Sequence, residues 1–186
     1  MKELRIHGRG GQGSLVLAEL LAIALFEEKK YSLAFPSLAG GTRRGAPVAA
    51  FVRMDDKEIT LTDKITTPDF VIIQDITIAD TINVFEGIKE NGFVILNSPE
   101  KEYKADRKYN LVDRDDVKII MIDANKIAMD AIGRPIVNTA LLGAFSKVTG
   151  QTSMEAVEKT IGNRFEKDLI DKNVKAAREA YNTIAL

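Results

Sequence analysis

The sequence predicts an α/β fold: three layers, α/β/α, around a mostly parallel sheet with one antiparallel hairpin element. Three observations carry this. Short apolar runs of strand length alternate with segments of helical spacing. Some runs, such as Phe70-Val71-Ile72-Ile73, are apolar at every position, as strands covered on both faces are. The first strand-to-helix junction is also dense in glycine, Gly8-Arg9-Gly10-Gly11-Gln12-Gly13.

The elements follow in order. Residues 4–7 read as the first strand. From Ser14 to about residue 28, Leu15, Ala18, Leu21, Ala22 and Leu25 recur at helical spacing. The apolar character there is nearly all-round, so this helix is expected to be well buried. Residues 31–35 form a short strand candidate, and 36–45 a loop. Residues 48–54 and 58–62 read as a hairpin turning at Asp55-Asp56-Lys57. Residues 69–75, 93–96 and 118–122 are further strands, and 77–90 is the expected crossover helix between the first two. After Asp123 the pattern is helical. Candidates are 124–132; 137–148, stopped by Gly150; a helix through 161 introduced by Thr152 and Glu155 at capping-box spacing; and 168–186. Residues 1–186 read as one domain whose C-terminal third, from about 124, is helical and covers one sheet face or meets a partner.

Composition excludes several function classes. The 186 residues carry 26 basic and 27 acidic side chains, so neither a polybasic nucleic-acid arm nor an acidic tail is expected. There is no Cys, which removes disulfides, thiol nucleophiles, thiolate zinc sites and Cys-ligated iron–sulfur clusters from this chain. One His is too few for a His-rich metal site. The start, Met1-Lys2-Glu3-Leu4-Arg5-Ile6-His7, is too polar for a signal peptide, and no run approaches membrane-spanning length. A cytoplasmic location, with no membrane and no nucleic-acid partner, is the expectation.

The glycine loop satisfies G-x-G-x-x-G between a predicted strand and a predicted helix, a Rossmann-like start. Glycines let backbone N–H groups approach an anion, the helix N-terminus adds partial positive charge, and Arg9 offers a charge-assisted contact. A nicotinamide site would need an acid about 20 residues on. Tyr31-Ser32-Leu33-Ala34-Phe35-Pro36 holds none, and Glu27 and Glu28 come too early. The loop is therefore either an anion-binding turn or a tight turn whose glycines serve packing. A second dense segment runs from Phe35-Pro36-Ser37 through Arg43-Arg44-Gly45 to Ala46-Pro47-Val48. Adjacent arginines on a shaped loop suit an anion or an interface, and equally a solvated turn. If the strand order allows, the two loops share one crevice at the carboxyl ends of the strands. His7 reads as a structural hydrogen-bonder. Asp75, Asp80 and Asp123 lie near strand ends, as active-site acids or as helix caps.

These residues also carry a family resemblance. His7-Gly8-Arg9-Gly10-Gly11-Gln12-Gly13 resembles the opening motif of the gamma subunit of 2-oxoacid:ferredoxin oxidoreductases. Phe35-Pro36-Ser37, Arg43-Arg44-Gly45-Ala46-Pro47-Val48, Pro68-Asp69-Phe70-Val71-Ile72, Gln74-Asp75 and Asn138-Thr139-Ala140-Leu141-Leu142-Gly143-Ala144 continue it, most like the pyruvate type. One departure is Gly40-Gly41-Thr42-Arg43 where pyruvate-type chains carry Gly-Pro-Glu-Arg, which leaves the 2-oxoacid open. The resemblance implies a gamma chain without catalysis of its own. It would sit in a complex with alpha, beta and delta subunits that converts a 2-oxoacid and coenzyme A to acyl-CoA and passes electrons to ferredoxin. Thiamine diphosphate, Mg²⁺ and [4Fe-4S] clusters would lie on the other chains. Gly8, Arg9, Gly10, Gly11, Gln12, Gly13, Ser37, Arg43, Arg44 and Gly45 are the candidates for meeting coenzyme A phosphates or a partner chain. The alternative is a free-standing phosphate- or nucleotide-binding module.

Overall fold

The hub of the sheet is β1 (Lys2–Arg9), whose alternate residues face two different cores. In the computed structural model, which describes residues 1–37, 43–100 and 114–185, six strands run in the order β2-β3-β1-β4-β5-β6. The others are β2 (Tyr31–Pro36), β3 (Pro47–Asp55), β4 (Phe70–Ile73), β5 (Phe93–Asn97) and β6 (Lys118–Ile122). β1, β4, β5 and β6 are mutually parallel, while β3 is antiparallel to both β1 and β2.

Leu4 and Ile6 point to one face, with Val52, Ile72 and Ile95 beside them. Five α-helices among the described residues cover that face: α1 (Ser14–Glu27), α2 (Ala124–Ile132), α3 (Asn138–Thr149), α4 (Met154–Arg164) and α5 (Lys167–Thr183). The most enclosed is α3, where ten of twelve residues are buried. Its Gly143 lets α5 cross at backbone contact: a Cβ there would lie 2.1 Å from the Ala177 carbonyl oxygen. Ala176, Ala177 and Ala180 supply the small surface opposite. The other sheet face carries Val71, Ile73, Val94 and Leu96, and is covered by a 3-10 helix (Ile76–Asp80) and the turns that follow.

Three expectations are corrected. Residues 58–62 form no strand. β3 already has β1 on one side and β2 on the other, so no edge remains for a hairpin partner. That segment instead passes Arg53, whose Nη1 donates to the Leu61 carbonyl at 2.8 Å. Residues 77–90 make one 3-10 helix and turns rather than an α-helix. Asp75 caps it by accepting from Thr77 N, Asn83 Oδ1 accepts from Phe85 N, and Gly87 sits at φ 72° where a Cβ would meet the Thr66 carbonyl at 2.0 Å. Local side-chain bonds and β-branched residues compete with the helix, and burying Ile78, Val84, Phe85 and Ile88 on a sheet needs no single helical stripe. Third, the cap of α4 is Ser153, which accepts from Ala156 N at 3.1 Å. Thr152 is drawn inward, donating to the Ala24 carbonyl at 3.3 Å.

Candidate functional site

The carboxyl end of β1 is where the chain divides. One connection runs through α1 to β2 on one side, while β4, β5 and β6 succeed one another on the other. Such a switch point opens a crevice above the strand ends. The glycine loop fills its floor. Gly8 is tightly enclosed: a Cβ would fall 2.2 Å from Ser14 Oγ and 2.3 Å from Gln74 Oε1. Gly13, at φ 77°, is the N-cap of α1 in a left-handed conformation that glycine takes freely. With no side chain to cap the helix, the first backbone donors of α1 keep their outward direction.

The second loop closes on the first. Gly10 N donates to the Ala46 carbonyl at 2.8 Å, and Gly45 N donates back to the Gly10 carbonyl at 3.0 Å. Arg43, Arg44 and Gly45 therefore flank Gly10 and Gly11, and all three are exposed. The guanidinium groups of Arg43 and Arg44 have no partner among the described residues. Ser37 stands apart. Its N–H donates to the Ala49 carbonyl at 2.9 Å, beyond the end of β2 and two strand spacings, roughly 10 Å, from β1. It lines a separate hollow with Phe35, Phe51 and Lys64.

Arg9 is committed within the protein. Nε donates to Asp75 Oδ2 at 3.0 Å, Nη1 to the Gly45 carbonyl at 3.0 Å and Nη2 to Thr77 Oγ1 at 2.6 Å. Gln12 joins the same knot, accepting from Arg9 N at 2.7 Å and donating to Asp75 Oδ2 at 3.2 Å. Partial burial pushes the Asp75 carboxyl upward. Hydrogen bonds from Thr77 and Gln12, with the Arg9 charge, outweigh it and hold the group below the usual carboxylate value. The knot braces the glycine loop against the end of β4.

Beneath the loop runs a buried amide chain. Ser14 Oγ donates to Gln74 Oε1 at 2.6 Å, and Gln74 Nε2 donates to Asn138 Oδ1 at 3.0 Å. Asn97 Nδ2 donates to the Gln74 carbonyl at 2.9 Å, and Asn97 Oδ1 accepts from Ala124 N at 3.0 Å. Four elements are thus fixed around one point. Above it, a cleft of about 280 Å³ lies between Gly11–Gly13 and residues Asn125 and Ile136–Asn138. Two helix N-termini border it, those of α1 and α3, and neither has a side-chain cap. Oriented helix ends facing one space favour negative charge there. Sequence reasoning overlooked Gln74 and Asn138 as site residues. The available signal was an amide directly after an apolar strand and another at a helix start.

His7 is not the hydrogen-bonder expected. Its ring is buried on the sheet face away from α1, and neither nitrogen has a partner among the described residues. Burial, followed by the charges of Arg5 and Lys64, pushes its pKa down to about 3, so the ring is neutral and apolar in role. A dinucleotide site is disfavoured by the strand order as well. β3 separates β2 from β1, and β2 ends in Pro36 rather than an acid. Among the described residues, no group of three His, Cys, Asp or Glu side chains could hold a metal ion.

Comparison with known proteins agrees with this architecture. Residues 3–183 match the family model described as pyruvate ferredoxin/flavodoxin oxidoreductase, and the chain belongs to that family, on its gamma-subunit branch. It is 48% identical to the pyruvate synthase subunit PorC of Methanocaldococcus jannaschii, over 98% of this chain and 96% of that one. It is 45% identical to the common gamma subunit of the pyruvate/ketoisovalerate oxidoreductases of Pyrococcus abyssi, over 97% and 96%. The crystal structure of the pyruvate oxidoreductase subunit PORC from Thermotoga maritima superposes with a TM-score of 0.82 at 35% identity, covering 97% of this chain and 95% of that one.

Proposed function

We propose that this chain is the gamma subunit of a cytoplasmic 2-oxoacid:ferredoxin oxidoreductase acting on pyruvate, and that it performs no step alone. The observation that supports this most is its likeness, at 48% identity and nearly full length, to a pyruvate synthase subunit. On this reading 1–186 works as one domain beside alpha, beta and delta subunits, and ferredoxin takes electrons from the complex. Cys-ligated [4Fe-4S] clusters do not fit this chain, which has no Cys, and among the described residues no cluster of acidic or His side chains suits the Mg²⁺ that accompanies thiamine diphosphate. They are assigned to the partner subunits.

What this chain offers the reaction is a place for anionic substrate groups. The cleft between the starts of α1 and α3, with Arg43 and Arg44 at its approach, suits the phosphates of coenzyme A. Gly11 and Gly13 line that cleft, while Gly8 and Gly10 let the loop pack against Ser14, Gln74 and the backbone of Arg43. Arg9 and Gln12 act as positioning residues through Asp75, and Gly45 ties the loops together. Ser37 belongs to the neighbouring surface.

The test uses the complex purified anaerobically through a tag on this chain, with pyruvate-dependent viologen reduction as the readout. The double variant Arg43→Ala/Arg44→Ala is expected to raise the apparent KM for coenzyme A by about tenfold with a smaller change in kcat, as lost ground-state contacts would. Both arginines are exposed, so each contact contributes roughly 0.2–1 kcal/mol, and about 1.4 kcal/mol from the pair corresponds to tenfold. An unchanged coenzyme A dependence in a fully assembled variant would remove these arginines from substrate binding.

A further inference from the structure

Sheet edges are where backbone groups are left unpaired, and the two edges here differ. β6 opens on an exposed lysine, Lys118, a device that discourages edge pairing. β2, Tyr31-Ser32-Leu33-Ala34-Phe35-Pro36, carries no charge over its whole length. Ser37 N donates to the Ala49 carbonyl, which sets the phase of the β2–β3 ladder. Tyr31, Leu33 and Phe35 bond toward β3, while Ser32 and Ala34 turn their N–H and C=O groups away from it. Among the described residues those four outward groups have no hydrogen-bond partner.

The same edge gathers exposed aromatic surface. Among the described residues only two aromatic residues are exposed, Phe26 at 71% and Tyr31 at 51%. Both stand here, one near the end of α1 and one at the start of β2. The far end of β2 offers the converse. There a hollow of about 390 Å³, lined by Phe35, Pro36 and Phe51, lies between the strands and residues 62–64.

Unpaired backbone on a sheet edge calls for an extended strand, and β2 of a second copy meets every demand of this one. Three antiparallel registers of β2 against itself use the outward groups. Centred on Ala34, Ser32 faces Pro36, which has no N–H to give. Centred on Ser32, Ala34 faces Lys30, whose N–H is already bonded to the Leu25 carbonyl. Centred on Leu33, Ser32 of each copy faces Ala34 of the other, and all the outward groups are paired. That register also sets Tyr31 of one copy opposite Phe35 of the other, beside the hollow that Phe35 lines. Like charges do not meet, because Lys30 falls opposite Pro36 and Lys29 opposite Ser37. We propose that β2 pairs with β2 of a second copy about a twofold axis at Leu33, joining two six-stranded sheets into one. The contact goes beyond the subunit reading above, since it uses neither the glycine-loop cleft nor a different subunit.

The full-length chain is tested in solution by sedimentation. A dimer is expected, and two substitutions should each weaken it at least about tenfold. Ala34→Pro removes an outward N–H without taking a bond from β3. Leu33→Lys sets two like charges opposite each other on the axis. Both variants should melt as the wild type does at a dilution where all are monomeric, which separates lost pairing from lost folding. The register has its own readout, because the chain has no Cys. Leu33→Cys meets its copy with Cα atoms about 4.5 Å apart and should link to itself on mild oxidation. Tyr31→Cys, displaced from its copy by roughly 13 Å along the strand, should not. In the anaerobically purified complex a short bis-maleimide should likewise join two copies of Leu33→Cys. A monomeric wild-type chain, a dimer that survives both substitutions, or a Leu33→Cys link to a different subunit overturns the proposal.

Discussion

His7 shows how much a single residue depends on its surroundings. In the unfolded chain its imidazole takes up a proton near pH 6.5, whereas in the fold burial and two neighbouring cations hold that step down to about 3. Between these values the unfolded state binds the extra proton, so stability falls as pH falls. Because this is the only histidine, and the carboxylates held low in the fold begin to contribute only as pH nears 5, His7 dominates the window from about pH 6.5 to 5.5. Urea unfolding across it should show stability dropping with a slope approaching about 1.4 kcal/mol per pH unit. In His7→Gln most of that slope should be lost, whatever the variant's absolute stability. A persistent slope would mean that another group carries it. At the same scale, Arg9 is a residue whose sequence context suggested a free phosphate ligand. The glycine motif was readable, but the acceptors that occupy Arg9 come from Asp75 and Thr77, 66 and 68 positions along the chain.

At the level of elements, glycine positions divide by what stands opposite them. Gly143 on α3 faces the backbone of α5, where no rotamer change can make room. Gly143→Ala should destabilise the chain by roughly 1–3 kcal/mol as α5 is pushed outward. Gly162 on α4 has nothing within 4 Å of a built Cβ and is exposed. Gly162→Ala should therefore be neutral or stabilising, by up to about 1 kcal/mol. Thermal melts of the pair provide the check, and equal effects would sink the crossing argument. The helices from Ala124 onward were legible because two of their stops, Gly133 and Gly150, are left-handed C-caps with local sequence signatures. The segment after Asp75 was not. Its apolar residues suit helical spacing, yet they serve a sheet face through turns set by Asn83 and Gly87.

For the whole molecule, the isolated chain should reduce no viologen dye with pyruvate and coenzyme A, and activity should appear only with the partner subunits present. Dye reduction by the pure chain would end the non-catalytic reading. Its fold class, its helical C-terminal third and the position of the glycine turn were all determined by the sequence itself. They rest on local periods, on caps and on glycine's tolerance of left-handed backbone, which act over a few residues. Tertiary structure alone decided the placement of β3 between β2 and β1, the meeting of Gly10 with Ala46, the amide chain from Ser14 through Gln74 to Asn138, and the shared opening of α1 and α3. Each of these joins residues far apart in the chain. No local preference encodes such a pairing: the sheet supplies it by burying every strand edge and polar group it can satisfy.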